Sequence, residues 1–96
     1  MNAYDFTGRT AIITGAGQGI GLTVAERMLA SGANVAIWDR DAALLEGLSA
    51  RMDPARVMLQ TVDIGDLAAV EAATAAVIAR FGRIDVLVNN HGAGVK

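Results

Sequence analysis

The chain has 96 residues, a formal net charge of −2 and hydrophobic residues at 53% of its positions. This length accommodates one domain, and the scattered basic residues give no indication of a nucleic acid or a membrane surface as partner. The chain has no cysteine and one histidine, which argues against disulfides and against a metal site. We identify no signal peptide and no membrane-spanning segment, and we therefore expect a cytoplasmic protein.

Apolar runs of strand length alternate along the chain with segments of helical periodicity. The runs predict strands over 11–14, 34–38, 57–62 and 84–88, and the periodic segments predict helices over about 19–31, 41–52 and 66–81. We expect Ile20 and Leu67 to belong to the buried faces of the first and third helices. Asp41 is expected to cap the second helix, and Gly65 occupies the expected capping position of the third.

The order β-α-β-α-β-α-β implies parallel strands joined by right-handed crossovers. The predicted fold class is α/β, a doubly wound parallel sheet of Rossmann type with strand order 3-2-1-4. Residues 1–96 would then form one dinucleotide-binding half-domain, with two helices on one face of the sheet and one on the other. We expect this fold to be truncated, because the fourth strand would leave an unpaired edge and an uncovered sheet face.

A glycine-rich turn follows the first strand, with the sequence TGAGQGIG over 14–21. The spacing is G-x-x-x-G-x-G, at Gly15, Gly19 and Gly21. Glycines permit a tight turn and close approach to an anion, and the first N–H groups of a helix attract negative charge. We expect Gly15 to allow the turn, Gln18, Gly19 and Ile20 to present N–H groups to a dinucleotide pyrophosphate, and Gly21 to let helix and strand pack closely. The alternative is a purely structural strand-to-helix connection.

This loop, with Thr14 before it, resembles the cofactor loop of the short-chain dehydrogenase/reductase family. The segment GRIDVLVNNHG at 82–92 is similar to that family's fourth-strand segment ending in Asn-Asn-Ala-Gly, and the resemblance covers nearly the whole chain. It implies an NAD(P)-dependent oxidoreductase that interconverts an alcohol and a carbonyl in a small-molecule substrate, as a homo-oligomer when full length. The alternative is a free-standing nucleotide-binding module without catalysis, completed by a partner chain.

Asp39 ends the second strand, 24 residues after Gly15. Its carboxylate can accept hydrogen bonds from both adenosine ribose hydroxyls and would repel the 2′-phosphate of NADP. A helix-capping role is the alternative. Arg40 could instead pair with a 2′-phosphate, as in related proteins, but Gln18 supplies no second positive charge in the loop. We therefore predict NAD as the cofactor in preference to NADP.

Four further positions acquire expected roles through the resemblance. Asp63 matches the family position that hydrogen-bonds the adenine amino group, with Ile64 alongside, and capping of the following helix is its alternative role. Asn90 and Gly92 match residues that line the cofactor ribose. His91 replaces the family's alanine between them. We interpret it as a tolerated loop residue, and the alternative is a titratable group that serves a particular substrate.

The catalytic residues of the family have no counterpart in this sequence. The family uses a Tyr-x-x-x-Lys pair with a serine and a further asparagine, after the fourth strand. Here the only tyrosine is Tyr4 and the only lysine is Lys96, and neither can form the pair. We therefore assign no catalytic residue within 1–96 and expect this part alone to bind the cofactor without turnover.

Overall fold

The structure is a computed structural model and describes residues 5–90. Four strands alternate with three helices along the described chain. Their bounds are β1 (Thr10–Thr14), α1 (Gly19–Ala30), β2 (Asn34–Asp39), α2 (Ala42–Ser49), β3 (Val57–Thr61), α3 (Leu67–Phe81) and β4 (Val86–Val88). The predicted order of elements is confirmed.

The four strands form one parallel sheet in the order β3-β2-β1-β4. β1 lies inside the sheet, where Ile12 is opposite Ala36 of β2 on one side and Leu87 of β4 on the other. Parallel neighbours require a crossover at each connection, and the three helices supply these crossovers. The α/β class and the strand order 3-2-1-4 predicted from the sequence are therefore confirmed.

Helices cover both faces of the sheet, because alternate residues of each buried strand point to opposite sides. On one face, α1 and α2 pack on the sheet through a cluster that includes Ile13, Val35, Ile37, Ala25, Leu45 and Leu48. On the other face, α3 packs through a smaller cluster that includes Ile12, Ala36, Trp38, Val62, Ala73 and Val77. The expected distribution of two helices and one is confirmed.

Two residues assigned to buried helix faces are instead exposed. Ile20 is 73% exposed and Leu67 is 71% exposed. Each lies in the first turn of its helix, at the carboxyl edge of the sheet, where the turn extends past the strands. The fully covered residues of α1 are Gly21 and Ala25, which leave room for the helix to approach the sheet.

The helix caps agree with the prediction at one position and correct it at another. Asp41 caps α2, because its side chain accepts hydrogen bonds from the N–H groups of Ala43 and Leu44. Gly65 does not cap α3. That role belongs to Asp66, whose side chain accepts from Ala69 N–H.

β4 is shorter than the predicted 84–88 because a side chain interrupts its pairing. The Asp85 carboxylate, rather than a backbone carbonyl, accepts the N–H of Thr10 at 2.9 Å, while Asp85 N–H donates to the Thr10 carbonyl at 2.8 Å. Leu87 is 63% exposed on this outer strand of the described sheet.

Among the described residues, none of the helices has the length and apolar character needed to cross a membrane.

Candidate functional site

The glycine-rich turn between β1 and α1 requires glycine for two different reasons. Gly15 and Gly19 have φ of 61° and 65°, in the left-handed region that glycine adopts without strain. Gly21 has no positive φ, but an added Cβ there would lie 2.6 Å from both Asn90 Nδ2 and the Gly15 carbonyl oxygen. The turn therefore needs glycine for its backbone conformation at two positions and for space at the third.

The first turn of α1 presents unpaired donors. Gln18 is the N-cap residue, and its side chain makes no capping hydrogen bond. The N–H groups of Gly19, Ile20 and Gly21 precede the first intrahelical bond, which Leu22 N–H donates to the Gln18 carbonyl. Within the described part of the chain, this helix end is therefore available to an anion.

Asp39, at the end of β2, is held at both carboxylate oxygens. Its Oδ2 accepts from Gly17 N–H at 2.8 Å, and its Oδ1 accepts from Asp41 N–H at 2.9 Å. Each oxygen can still accept a second hydrogen bond, since a carboxylate has about four acceptor sites. Asp39 does not cap α2, because Asp41 has that role.

Arg40 and Asp63 lie on exposed turns at the same edge of the sheet. The ion pairs found within residues 5–90 do not include Arg40. Asp63 follows β3, and its Oδ1 accepts from Gly65 N–H at 2.9 Å in a local turn. The capping alternative for Asp63 is wrong, because Asp66 caps α3. Ile64, beside it, is 40% exposed.

Thr14 joins the ends of β1 and β4. Its hydroxyl oxygen accepts from Asn90 N–H at 2.8 Å and donates to Asn89 Oδ1 at 3.1 Å. Asn90 also donates from Nδ2 to the Gly15 carbonyl at 3.3 Å. The two asparagines therefore lie against the glycine-rich turn. His91 and Gly92 lie outside the described residues.

These turns surround one cavity of about 640 Å³ at the carboxyl edge of the sheet. Nine of the eleven predicted site residues line it: Gly15, Gln18, Gly19, Ile20, Asp39, Arg40, Asp63, Ile64 and Asn90. Gly21 lies behind the turn. A volume of this size falls within the range of about 300–1,000 Å³ typical of small-molecule and cofactor sites.

Sequence reasoning missed four residues that line the cavity: Trp38, Asp41, Leu44 and Val62. Trp38, Asp41 and Val62 are sequence neighbours of predicted site residues, so the adjacency was a usable signal. Leu44 belongs to the apolar stripe of α2, which marks it only as a core residue. Its proximity to the turn depends on how α2 packs, and no local pattern indicates it.

Trp38 forms a fixed wall of the cavity. It is 3% exposed, and its Nε1 donates to Gln60 Oε1 at 2.7 Å. The other end of that amide, Gln60 Nε2, donates to the Ala73 carbonyl in α3 at 3.2 Å. The ring is therefore tied to α3 through one side chain.

Residues 5–90 contain no cluster of three or more His, Cys, Asp or Glu side chains placed to hold a metal ion.

Comparisons with known proteins agree on one family. The family model described as short chain dehydrogenase matches residues 9–96. The chain is 42% identical to a 1,6-dihydroxycyclohexa-2,4-diene-1-carboxylate dehydrogenase of Pseudomonas putida, over 91% of this chain and 32% of that enzyme. It is 38% identical to a 2-dehydro-3-deoxy-L-rhamnonate dehydrogenase (NAD(+)) of a Sphingomonas species, over 94% of this chain and 35% of that enzyme.

A solved structure matches closely as well. The 3-ketoacyl-(acyl-carrier-protein) reductase from Brucella melitensis, complexed with NADH, superposes with a TM-score of 0.87 at 40% identity, over 96% of this chain and 37% of that chain. The chain thus spans about a third of the length of these relatives. Because they are dehydrogenases and a reductase, they give no support to the free-standing module. The chain belongs to the short-chain dehydrogenase/reductase family, whose members are oxidoreductases with a Rossmann-type nucleotide-binding part.

Proposed function

We propose that this protein is an NAD-dependent oxidoreductase that interconverts an alcohol and a carbonyl, with residues 1–96 forming its cofactor-binding part. One observation carries this proposal. The carboxylate of Asp39 is held at both oxygens, beside an anion-accepting helix end, in one cavity. An acceptor for ribose hydroxyls next to donors for a pyrophosphate is the arrangement that a dinucleotide requires.

The parts of the cofactor correspond to separate elements of the cavity wall. N–H groups of Gln18, Gly19 and Ile20 would hold the pyrophosphate, with Gly15 and Gly21 allowing its close approach. Asp63 and Ile64, at the end of β3, would hold the adenine. Asn90, together with Gly92 outside the described residues, would line a cofactor ribose. The cavity volume and the glycines of the turn support this fit.

The charges around the cavity favour NAD over NADP. Its lining within the described chain contains the carboxylates of Asp39, Asp41 and Asp63 and the single guanidinium of Arg40. A 2′-phosphate on the adenosine ribose would add about two negative charges beside Asp39. The short-range repulsion between this phosphate and the Asp39 carboxylate then outweighs the attraction of the exposed Arg40, which water screens.

Residues 1–96 bind and orient the cofactor but do not transfer a proton to or from the substrate. The nicotinamide supplies the hydride acceptor or donor when it is bound. Tyr4 and Lys96 are too far apart in sequence to form a Tyr-x-x-x-Lys pair. We therefore propose that residues 1–96 alone bind the cofactor without turnover. The native protein would act on a small molecule, in the cytoplasm, as a homo-oligomer.

Titration with NADH and NADPH tests the cofactor proposal. Reduced nicotinamide fluorescence reports binding directly, and Trp38, the only tryptophan within residues 1–96, lines the cavity and can serve as energy donor. We expect NADH to bind at least about tenfold more tightly than NADPH, a preference of about 1.4 kcal/mol. Tighter binding of NADPH would refute the role of Asp39, and binding of neither cofactor would refute the proposed function. Turnover with an alcohol by residues 1–96 would refute the absence of catalysis there.

A further inference from the structure

Gly17 is the one glycine of the turn whose role the motif leaves unexplained. It lies between Gly15 and Gly19 but, unlike them, it has no positive φ, so an L-residue could adopt its backbone conformation. It is also buried, although it lies on a turn. The reason for glycine at this position must therefore be the space around it.

Two neighbours occupy that space. An added Cβ at Gly17 would lie 2.8 Å from Asp39 Oδ2 and 3.0 Å from Leu44 Cβ, both too close for carbon. Leu44 lies in the first turn of α2, which Asp41 caps, so moving Leu44 would move a helix end. The carboxylate of Asp39 is the group that can give way.

Gly17 also makes a direct contact with that carboxylate. Its N–H donates to Asp39 Oδ2 at 2.8 Å, while Asp41 N–H donates to Oδ1 at 2.9 Å. Two donors from different sides determine the orientation of a short side chain. The Gly17 donor can approach so closely only because no Cβ stands between the turn and the carboxylate.

We propose that Gly17 is a positioning residue that sets the orientation of the Asp39 carboxylate toward the adenosine ribose and thereby sets the preference for NAD over NADP. This inference rests on the proposed function of the cavity as a dinucleotide site. A side chain at position 17 displaces the carboxylate, so the ribose hydroxyls lose well-directed acceptors. The N–H groups of Gln18, Gly19 and Ile20 keep their places, and pyrophosphate binding is retained.

The test is Gly17→Ala in the native-length protein, with Gly47→Ala as the matched control. Gly47 lies exposed in α2, has no positive φ, and an added Cβ there meets no atom within 4 Å. We expect Gly17→Ala to weaken NADH binding about tenfold, the loss expected for one charge-assisted hydrogen bond, and to change NADPH binding by less than about threefold. Gly47→Ala should leave both affinities unchanged.

A double-mutant cycle with Asp39→Ala shows whether Gly17 acts through Asp39. We expect Gly17→Ala to have less than about a twofold effect on NADH binding once the carboxylate is gone. An equal effect in both backgrounds would overturn the inference, as would an unchanged NADH-to-NADPH ratio in Gly17→Ala alone. If wild type binds neither cofactor, the proposed function itself fails, which is a distinct result.

Thermal unfolding keeps the inference testable if Gly17→Ala does not fold. Removal of the carboxylate removes the nearest atom to the added Cβ. The double variant Gly17→Ala, Asp39→Ala should then fold. Adding Gly17→Ala should lower the unfolding temperature of Asp39→Ala less than it lowers that of wild type. A double variant as unstable as the two losses added together would overturn the inference.

Discussion

The Thr14 hydroxyl accepts the N–H of Asn90 at 2.8 Å and so joins the carboxyl ends of β1 and β4 beside the glycine-rich turn. Thr14 is 4% exposed, and its hydroxyl also donates to Asn89 Oδ1. A donor and an acceptor in one small group therefore pair with the chain that follows β4. This contact links the stability of the sheet to the geometry of the cavity.

Replacement Thr14→Val should destabilise the protein by about 1–3 kcal/mol, because the partly buried Asn90 N–H would lose its acceptor while side-chain volume is kept. Equilibrium urea unfolding measures the loss. Thr74→Val is the control, since the Thr74 hydroxyl donates only to the Val70 carbonyl within its own helix at 2.7 Å. Equal losses in the two variants would contradict a special role for Thr14.

Arg56 should stabilise the junction between α1 and β2. Its Nη2 donates to the carbonyls of Leu29 at 2.7 Å and Ala33 at 2.6 Å, and so links the end of α1 to the start of β2. The Leu29 carbonyl also accepts from Gly32 N–H at 3.0 Å. We expect Arg56→Met to lower the free energy of unfolding by about 2 kcal/mol, because charged donors to carbonyls are strong and the aliphatic stem is kept.

The control for Arg56 is Arg51→Met. Arg51 pairs with Glu26 at 2.9 Å, but the two side chains are 58% and 48% exposed. Such exposed pairs contribute about 0–1 kcal/mol. A urea-unfolding loss for Arg56→Met no larger than that for Arg51→Met would show that the two carbonyl contacts do not matter.

Gln60 should hold Trp38 in place against α3. Gln60→Met removes the acceptor of the buried indole N–H, and we expect a loss of about 1–3 kcal/mol. Trp38 fluorescence follows both the unfolding transition and the change around the ring. Gln18→Met is the matched control, because Gln18 is exposed and makes no side-chain capping hydrogen bond. A loss for Gln60→Met within about 0.5 kcal/mol of the control would refute this role.

The stability contributed by Asp85 should disappear in acid. Hydrogen bonds from Arg83, and to a smaller extent from Thr10 N–H, hold the pKa of Asp85 below its ordinary value of 3.8. A lowered folded-state pKa means that the stabilisation is complete above the ordinary value and is lost as pH falls through the folded-state value. Asp85→Asn should therefore be less stable than wild type at pH about 7, with the difference shrinking below pH about 4.

Urea unfolding at several pH values between about 3 and 7 measures this difference. Glu71→Gln provides the comparison, because Glu71 is an exposed carboxylate on the face of α3 away from the sheet. Its substitution should have little effect throughout. A difference between wild type and Asp85→Asn that stays constant across the whole pH range would contradict the assignment.

The sequence by itself determined the architecture and the chemical character of the site. Buried parallel strands appear as continuous apolar runs, and the alternation with helical segments allows few topologies, so the order 3-2-1-4 followed. The spacing of Gly15, Gly19 and Gly21, and the position of Asp39, indicated the edge of the sheet where the cavity lies. Each of these features depends on residues close together in the sequence, so the spacing of residue types is enough to indicate it.

The tertiary structure alone decided which side chains face the cavity and what holds them. Ile20 was predicted as a buried residue, because periodicity does not show where a helix turn extends past the sheet. The apolar stripe of α2 likewise does not show that Leu44 reaches the cavity. In the sequence, Gly17 is one more glycine of the turn. Only the packing of α2 and Asp39 against it explains why this position has no side chain. Contacts between elements depend on how the elements pack, and short-range sequence patterns carry no record of that packing.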